Sequence, residues 1–296
     1  MNEMQDLFSY NFQETINSLE NRIPKIKNRK LNDLHVIFND IDDGLYAYLM
    51  YVPFSGYPNI RSVIPGWASD EIRQDSTGEF SLQEHIEDAT WFWRTVRDRF
   101  TRITGKSIAT ARVADYGGGW GRVARFANKN VPAEQFFVLE PNPVFRDIYK
   151  DCRLPGNLIE IDWLSSENTG LTKIDLIFSY SILTHSSDRL TRNIVDRWAE
   201  MTVPGSVVAF TVRPGCYLNG AGGDMSVFTD TERPGLTKVY DSGKLVYKPY
   251  PGDEHWGVTI APEKYLSEVF AGRFSIVDRA FQIQTMNQLI MFAQRT

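Results

Sequence analysis

The chain has 296 residues, enough for one large domain or for a core domain with an accessory segment, and its 42% hydrophobic and 23% charged residues are ordinary for a globular protein. No apolar run approaches the ~18 residues a membrane span needs. The start, Met1-Asn2-Glu3-Met4-Gln5-Asp6, lacks the basic and apolar parts of a secretory signal, so a cytoplasmic protein without a membrane partner is expected. Cys152 and Cys216 are too few for a disulfide framework and are read as reduced thiols. A net charge of -5 with interspersed signs offers no broad basic surface for a polyanion, which disfavours nucleic acid and favours a small molecule as partner.

In chain order, residues 1–105 read as a mainly helical lid or substrate segment. Its clearest element begins at Ser81, where Ser81-Leu82-Gln83-Glu84 makes a capping box and Leu82, Ile86, Ala89, Trp93, Val96, Phe100 and Ile103 recur at helical spacing. Before it, Tyr51-Val52-Pro53-Phe54-Ser55-Gly56-Tyr57-Pro58 disfavours regular structure, and its aromatics suit the wall of a pocket.

From residue 106 the pattern changes to short β-rich runs alternating with amphipathic helices, the mark of an α/β protein with helices on both faces of a mostly parallel sheet. Strands are expected at Ala111 to Tyr116, Gln135 to Glu140, Leu158 to Ile161, Ile174 to Tyr180 and Val207 to Val212. The last two, Phe274 to Phe281 and Leu289 to Gln294, have no helix between them and predict a closing antiparallel hairpin. Helices are expected at Ser187 to Met201, capped by Ser187, and from Pro262 through Leu266, Val269 and Phe270. Between the third and fourth strands, Asn168, Gly170 and Thr172 predict that a helix is reduced to a turn. Residues 214–257 form an insertion, with the glycine-rich Gly220-Ala221-Gly222-Gly223-Asp224 and a hairpin expected around Asp241-Ser242-Gly243-Lys244.

The chemistry centres on Asp115-Tyr116-Gly117-Gly118-Gly119-Trp120-Gly121-Arg122, where the first strand gives way to a helix expected to begin near Trp120. Glycines allow the positive backbone angles of so tight a turn and let a ligand approach the main chain. A dinucleotide fingerprint would need its third glycine at position 122, which is Arg122. The spacing GxGxG instead resembles the first motif of the class I S-adenosylmethionine-dependent methyltransferases, with Asp115 as the acid two places before Gly117. The resemblance covers roughly Lys106 to Thr296 and implies a Rossmann-like methyltransferase sheet, mostly parallel with an antiparallel closing strand.

It further implies S-adenosylmethionine as cofactor, held by Asp115, Gly117, Gly119 and Gly121. Glu140 ends the second strand 19 residues beyond Gly121, near the ~20 expected of an acid that accepts from ribose hydroxyls. Asp162 and Trp163 resemble the family's adenine site, although Asp162 can equally cap the segment that follows. Ser179, Tyr180 and Ser181, at the end of the fourth strand, are candidate contacts of the methionine part. Phe-Ser-Tyr-Ser there departs from the Asn/Asp-Pro-Pro-Tyr of amino-methylating nucleic-acid enzymes. Trp67 and Arg73 of the N-terminal segment are read as ring packing and a partner for the methionine carboxylate.

Methyl transfer to a small-molecule or glycan-linked acceptor, at a hydroxyl, is therefore the expected activity. The competing readings are a non-catalytic methyltransferase-like partner protein and a nucleotide-cofactor oxidoreductase. His185 and His255 are the candidate bases for the acceptor proton, because imidazole accepts protons near neutral pH and both lie where the pocket should form. Each can instead pack or cap. No metal is expected, with Asp188 and Asp224 as weaker alternatives, either as bases or as ligands of a divalent ion.

Overall fold

The computed structural model describes residues 12–27, 33–51, 56–77, 80–165, 169–219, 227–281 and 288–296. Asn168, the glycine-rich stretch Gly220 to Asp224, Val52 to Ser55 and the link before Gln288 lie outside the described residues. The seven expected strands form, the fifth starting at Thr202 rather than Val207 and the others with small shifts at their ends, and two strands that were not expected, β6 and β7, join them: β1 Val113–Tyr116, β2 Phe136–Glu140, β3 Asn157–Glu160, β4 Ile174–Ser179, β5 Thr202–Val212, β6 Val246–Pro249, β7 Gly257–Ile260, β8 Phe274–Phe281 and β9 Leu289–Arg295. Seven of them make one sheet in the order β3-β2-β1-β4-β5-β9-β8, while β6 and β7 pair separately.

Strands β1 to β5 pair in parallel, and β9 runs antiparallel to both β5 and β8. The closing hairpin thus forms, but its second strand inserts inside the sheet and β8 becomes the edge. Side-chain pattern explains the order. Ile290, Met291, Phe292 and Ala293 form a continuous apolar run buried on both faces, whereas β8 alternates half-buried and exposed positions after the buried Phe274.

Eleven α-helices lie among the described residues: α1 Gln13–Arg22, α2 Leu34–Phe38, α3 Asp43–Tyr51, α4 Pro58–Val63, α5 Asp70–Thr77, α6 Leu82–Thr104, α7 Ala124–Asn130, α8 Pro143–Asp151, α9 Asp188–Met201, α10 Arg233–Asp241 and α11 Glu263–Phe270. The capping box of α6 forms as expected, with Glu84 N donating to Ser81 Oγ at 3.2 Å and Ser81 N to Glu84 Oε2 at 2.7 Å. Its stripe, Ile86, Ala89, Trp93, Val96 and Phe100, joins Val113, Phe178, Val207 and Phe292 in one buried cluster, so the N-terminal segment packs directly on one face of the sheet. On the other face, Trp198 of α9 and Phe270 of α11 pack with Tyr116 and Phe210. Part of the insertion has its own cluster around Tyr217, Phe228, Val246 and Ile260.

Two local expectations are corrected. Asp241-Ser242-Gly243-Lys244 is the end of α10 rather than a hairpin: Gly243 adopts φ +84°, and Lys244 N returns to Val239 O at 3.3 Å, closing the helix before β6. The helix after the glycine turn starts at Ala124 rather than near Trp120, because Gly119 and Gly121 hold φ of +54° and +86° that a right-handed helix does not contain. Between β3 and β4 no described residue is helical, as the sequence suggests. Among the described residues no helix is long and apolar enough to cross a membrane.

Candidate functional site

At the C-terminal ends of β1, β2 and β4 the structure opens into a cavity of about 780 Å³. This is where open parallel sheets hold ligands. The glycine turn forms its floor, with Gly117 N donating to Leu139 O at 2.8 Å, and its three odd glycines do different work. A Cβ at Gly117 would lie 2.5 Å from Ile182 Cδ1, and one at Gly121 only 2.2 Å from Leu154 Cδ1 and 2.9 Å from Tyr149 Cδ2. A Cβ at Gly119 would meet nothing within 4 Å. Gly121 therefore serves packing, while Gly119 keeps the cavity open to the backbone. Gly121→Ala is expected to cost on the order of 2–4 kcal/mol through backbone strain and overpacking. The check is thermal unfolding, and a wild-type midpoint would refute the packing role.

Glu140 is buried at the mouth of this turn. Its Oε2 accepts from Gly119 N at 2.7 Å and its Oε1 from Asn142 N at 2.8 Å. Burial pushes its carboxyl above the usual range, against the opposing pull of those two amides. Asp115 is also buried, and its Oδ2 has no hydrogen-bond partner among the described residues. Desolvation, and then the nearby Glu140 charge, raise the Asp115 carboxyl well above its ordinary value.

A carboxyl raised on folding stabilises most at acid pH, and that contribution is lost as pH rises towards the folded value. Asp115→Asn should accordingly raise the melting temperature of the ligand-free chain, by an amount that grows from acid to mildly alkaline pH. A mutant that melts below wild type across that range would contradict the electrostatic account.

The remaining expected residues divide. Asp162, Trp163, Tyr180 and Ser181 line the cavity. Asp162 Oδ1 also accepts from Leu164 N at 2.8 Å, an Asx turn at the start of a segment in which no described residue is helical. Ser179 does not line the cavity; its Oγ donates to Tyr116 O at 2.9 Å and ties β4 to β1. Ser181 adopts φ +60°, donates its amide to Thr211 Oγ1 at 2.8 Å and accepts from Gln288 Nε2 at 2.7 Å. Arg73 is buried outside the cavity lining, spending Nη1 on Ala68 O at 2.9 Å and Nη2 on Asp70. Trp67 is likewise occupied in packing, with the Arg125 guanidinium 3.7 Å from its ring.

Both candidate bases line the cavity. His185 stacks on Trp256, which stacks in turn on Trp163, at centroid distances of 5.4 and 6.0 Å. Its Nδ1 lies 2.8 Å from Gly257 O and 3.2 Å from Tyr250 Oη, and its Nε2 lies 3.2 Å from Arg213 Nη2. Burial and the Arg213 charge hold the imidazole down to about 3, so it stays neutral at ordinary pH. With Nε2 taken by the guanidinium, His185 is poorly placed to accept a further proton. His255 is more open, its Nδ1 lying 3.3 Å from Ser187 Oγ. Asp188 pairs with Arg192 and Tyr265 instead of lining the cavity.

Sequence reasoning missed several lining residues. Asp75 and Ser76 come from α5, Ser76 accepting from Trp120 Nε1 at 3.0 Å, and Asn142, Arg213, Tyr250 and Gln288 line the cavity too, as does Arg122. Arg122 was legible as the residue after Gly121, yet it served only to exclude a dinucleotide motif. Nothing local in Asp75, Ser76 or Gln288 signals a site.

No family model and no curated protein matches the chain. Solved structures do. An S-adenosylmethionine-dependent methyltransferase from Clostridium acetobutylicum superposes with a TM-score of 0.51 at 11% identity, covering 76% of this chain and 96% of that one. A magnesium protoporphyrin IX methyltransferase from Synechocystis, with bound S-adenosylhomocysteine, gives 0.49 at 12% identity over 76% of this chain and 93% of its own. The glycopeptide N-methyltransferase MtfA, complexed with sinefungin, gives 0.46 at 10% identity over 69% and 94%. By its strand order and by a superposition with a TM-score of 0.51, the protein has the fold of the class I S-adenosylmethionine-dependent methyltransferases.

Proposed function

We propose that the protein is an S-adenosylmethionine-dependent methyltransferase acting on a small-molecule or glycan-linked acceptor, at a hydroxyl. One observation carries the reading: Glu140, at the end of β2, meets the Gly119 amide beside a glycine turn that opens into the cavity. The residues present fit the cofactor. A side chain at Gly119 would intrude into free space, and the orphaned Asp115 Oδ2 is a buried acceptor without a protein donor among the described residues. Bound there, S-adenosylmethionine supplies an activated methyl group on a sulfonium.

The chain's own work is then binding, alignment and proton removal. Glu140 accepts from the ribose hydroxyls, its two backbone bonds leaving carboxylate lone pairs to spare. Trp163 and Asp162 bound the adenine end, and Tyr180 and Ser181 face the amino-acid end. Continuing the stack from Trp163, Trp256 and His185, with Tyr250, wall the acceptor space. His255 takes the acceptor proton. Asp75 and Ser76 bring the N-terminal segment to the cavity as part of its wall.

Titration calorimetry with S-adenosylhomocysteine tests the cofactor, and release of that product from S-adenosylmethionine across a panel of hydroxylated small molecules and glycans tests the activity. Absence of binding would overturn the proposal. Binding without product release in any acceptor would favour a non-catalytic partner protein.

A further inference from the structure

An S-adenosylmethionine site must accommodate an amino-acid carboxylate, in a cavity lined here by five carboxylates, those of Asp75, Asp115, Glu140, Asp162 and Asp253. A cation is its strongest partner there, and the arginines lining the cavity are Arg122 and Arg213. Arg213 follows β5 and is committed to the acceptor side, with Nη1 donating to Thr184 O and Nη2 within 3.2 Å of His185 Nε2. Arg122 stands next to Gly121, its guanidinium 5.1 Å from the ring centroid of Tyr180, which follows the last residue of β4. It therefore spans the gap between the turn after β1 and the end of β4. It is 6% exposed, and its Nε has no hydrogen-bond partner among the described residues.

A fully buried carboxylate holds Arg122 there. Asp88, on α6, accepts on the same Oδ2 from Arg122 Nη2 and from the Tyr180 hydroxyl, so one residue of the N-terminal segment fixes two lining groups from two other elements. The Asp88 charge offsets part of the cost of burying the guanidinium. The remaining donors of the guanidinium fork stay available for a second anion.

We infer that Arg122 binds the amino-acid carboxylate of the cofactor and that Asp88 is its positioning residue, so the N-terminal segment is built into the cofactor site through α6. This assignment rests on the methyltransferase reading, and it gives to Arg122 the role that the sequence suggested for Arg73.

The test compares two probes in titration calorimetry on the full chain: S-adenosylhomocysteine and its decarboxylated counterpart, which keeps the adenosine, thioether and ammonium but has no carboxylate. Wild type is expected to prefer S-adenosylhomocysteine by roughly 10- to 100-fold. Arg122→Gln should abolish that preference by weakening S-adenosylhomocysteine alone, and Asp88→Asn should reduce it in the same one-sided way. A purely structural role would weaken both ligands together. If Arg122→Gln does not fold, Arg122→Lys, which keeps the charge but loses the fork, should reduce the preference several-fold.

Preference retained in the Arg122 variant, or equal loss for both probes, would overturn the assignment. Wild type that binds neither probe would overturn the methyltransferase reading itself.

Discussion

Glu140→Ala is expected to weaken S-adenosylhomocysteine binding by on the order of 100-fold, because an ionised acceptor of two ribose hydroxyls is worth about 3 kcal/mol. The structure adds a second consequence. Both carboxylate oxygens already accept from backbone amides, Gly119 N at 2.7 Å and Asn142 N at 2.8 Å, so the substitution orphans two donors of the site's own scaffold. Against that loss, it removes a buried carboxyl whose ionisation burial opposes. The two terms have opposite sign, and the fold is expected to survive with a modest change in melting temperature. Glu140→Gln keeps one acceptor oxygen and should lose less affinity than alanine. Calorimetry on both variants checks this, and a folded Glu140→Ala chain with wild-type affinity would remove Glu140 from the ribose site.

The sequence revealed this site unevenly, for physical reasons. Residues whose role is local were readable: Ser81 and Glu84 cap a helix within four residues of each other, and Gly117 to Gly121 with Glu140 follow from strand, turn and strand in order. Apolar runs placed every strand of the main sheet, because burial on one or both faces writes itself into the pattern. What depended on distant partners was not readable. Ser179 was expected at the ligand, but its hydroxyl is used 63 residues away in sequence, on Tyr116 O. Asp88 looked like one more polar position on an amphipathic helix until folding placed Arg122 and Tyr180 against it. The Asp241-to-Lys244 segment failed differently, since a left-handed glycine closes a helix as readily as it turns a hairpin.

The same distinction between local role and distant partner governs the two histidines. His255→Ala is expected to slow methyl transfer by roughly 100- to 10,000-fold, the usual worth of a positioned general base. Its affinity for S-adenosylhomocysteine should stay near wild type, because nothing assigned to the cofactor leans on it. With Nδ1 against Ser187 Oγ at 3.3 Å, Nε2, which lies 4.0 Å from Glu254 Oε2, is the nitrogen proposed to meet the acceptor hydroxyl. His185 offers no such nitrogen. Its Nδ1 is held by Gly257 O and Tyr250, its Nε2 by Arg213, and its imidazole is pushed down to about 3. His185→Ala should therefore act on acceptor positioning, raising KM for the acceptor more than it lowers kcat, through loss of the stack on Trp256. A chelator should change neither rate, since base catalysis by imidazole needs no ion. The measurement is product release from S-adenosylmethionine over a range of acceptor concentrations, giving kcat and KM for wild type and both variants. Full turnover in His255→Ala, or activity lost on chelation and restored by magnesium, would remove His255 as the base.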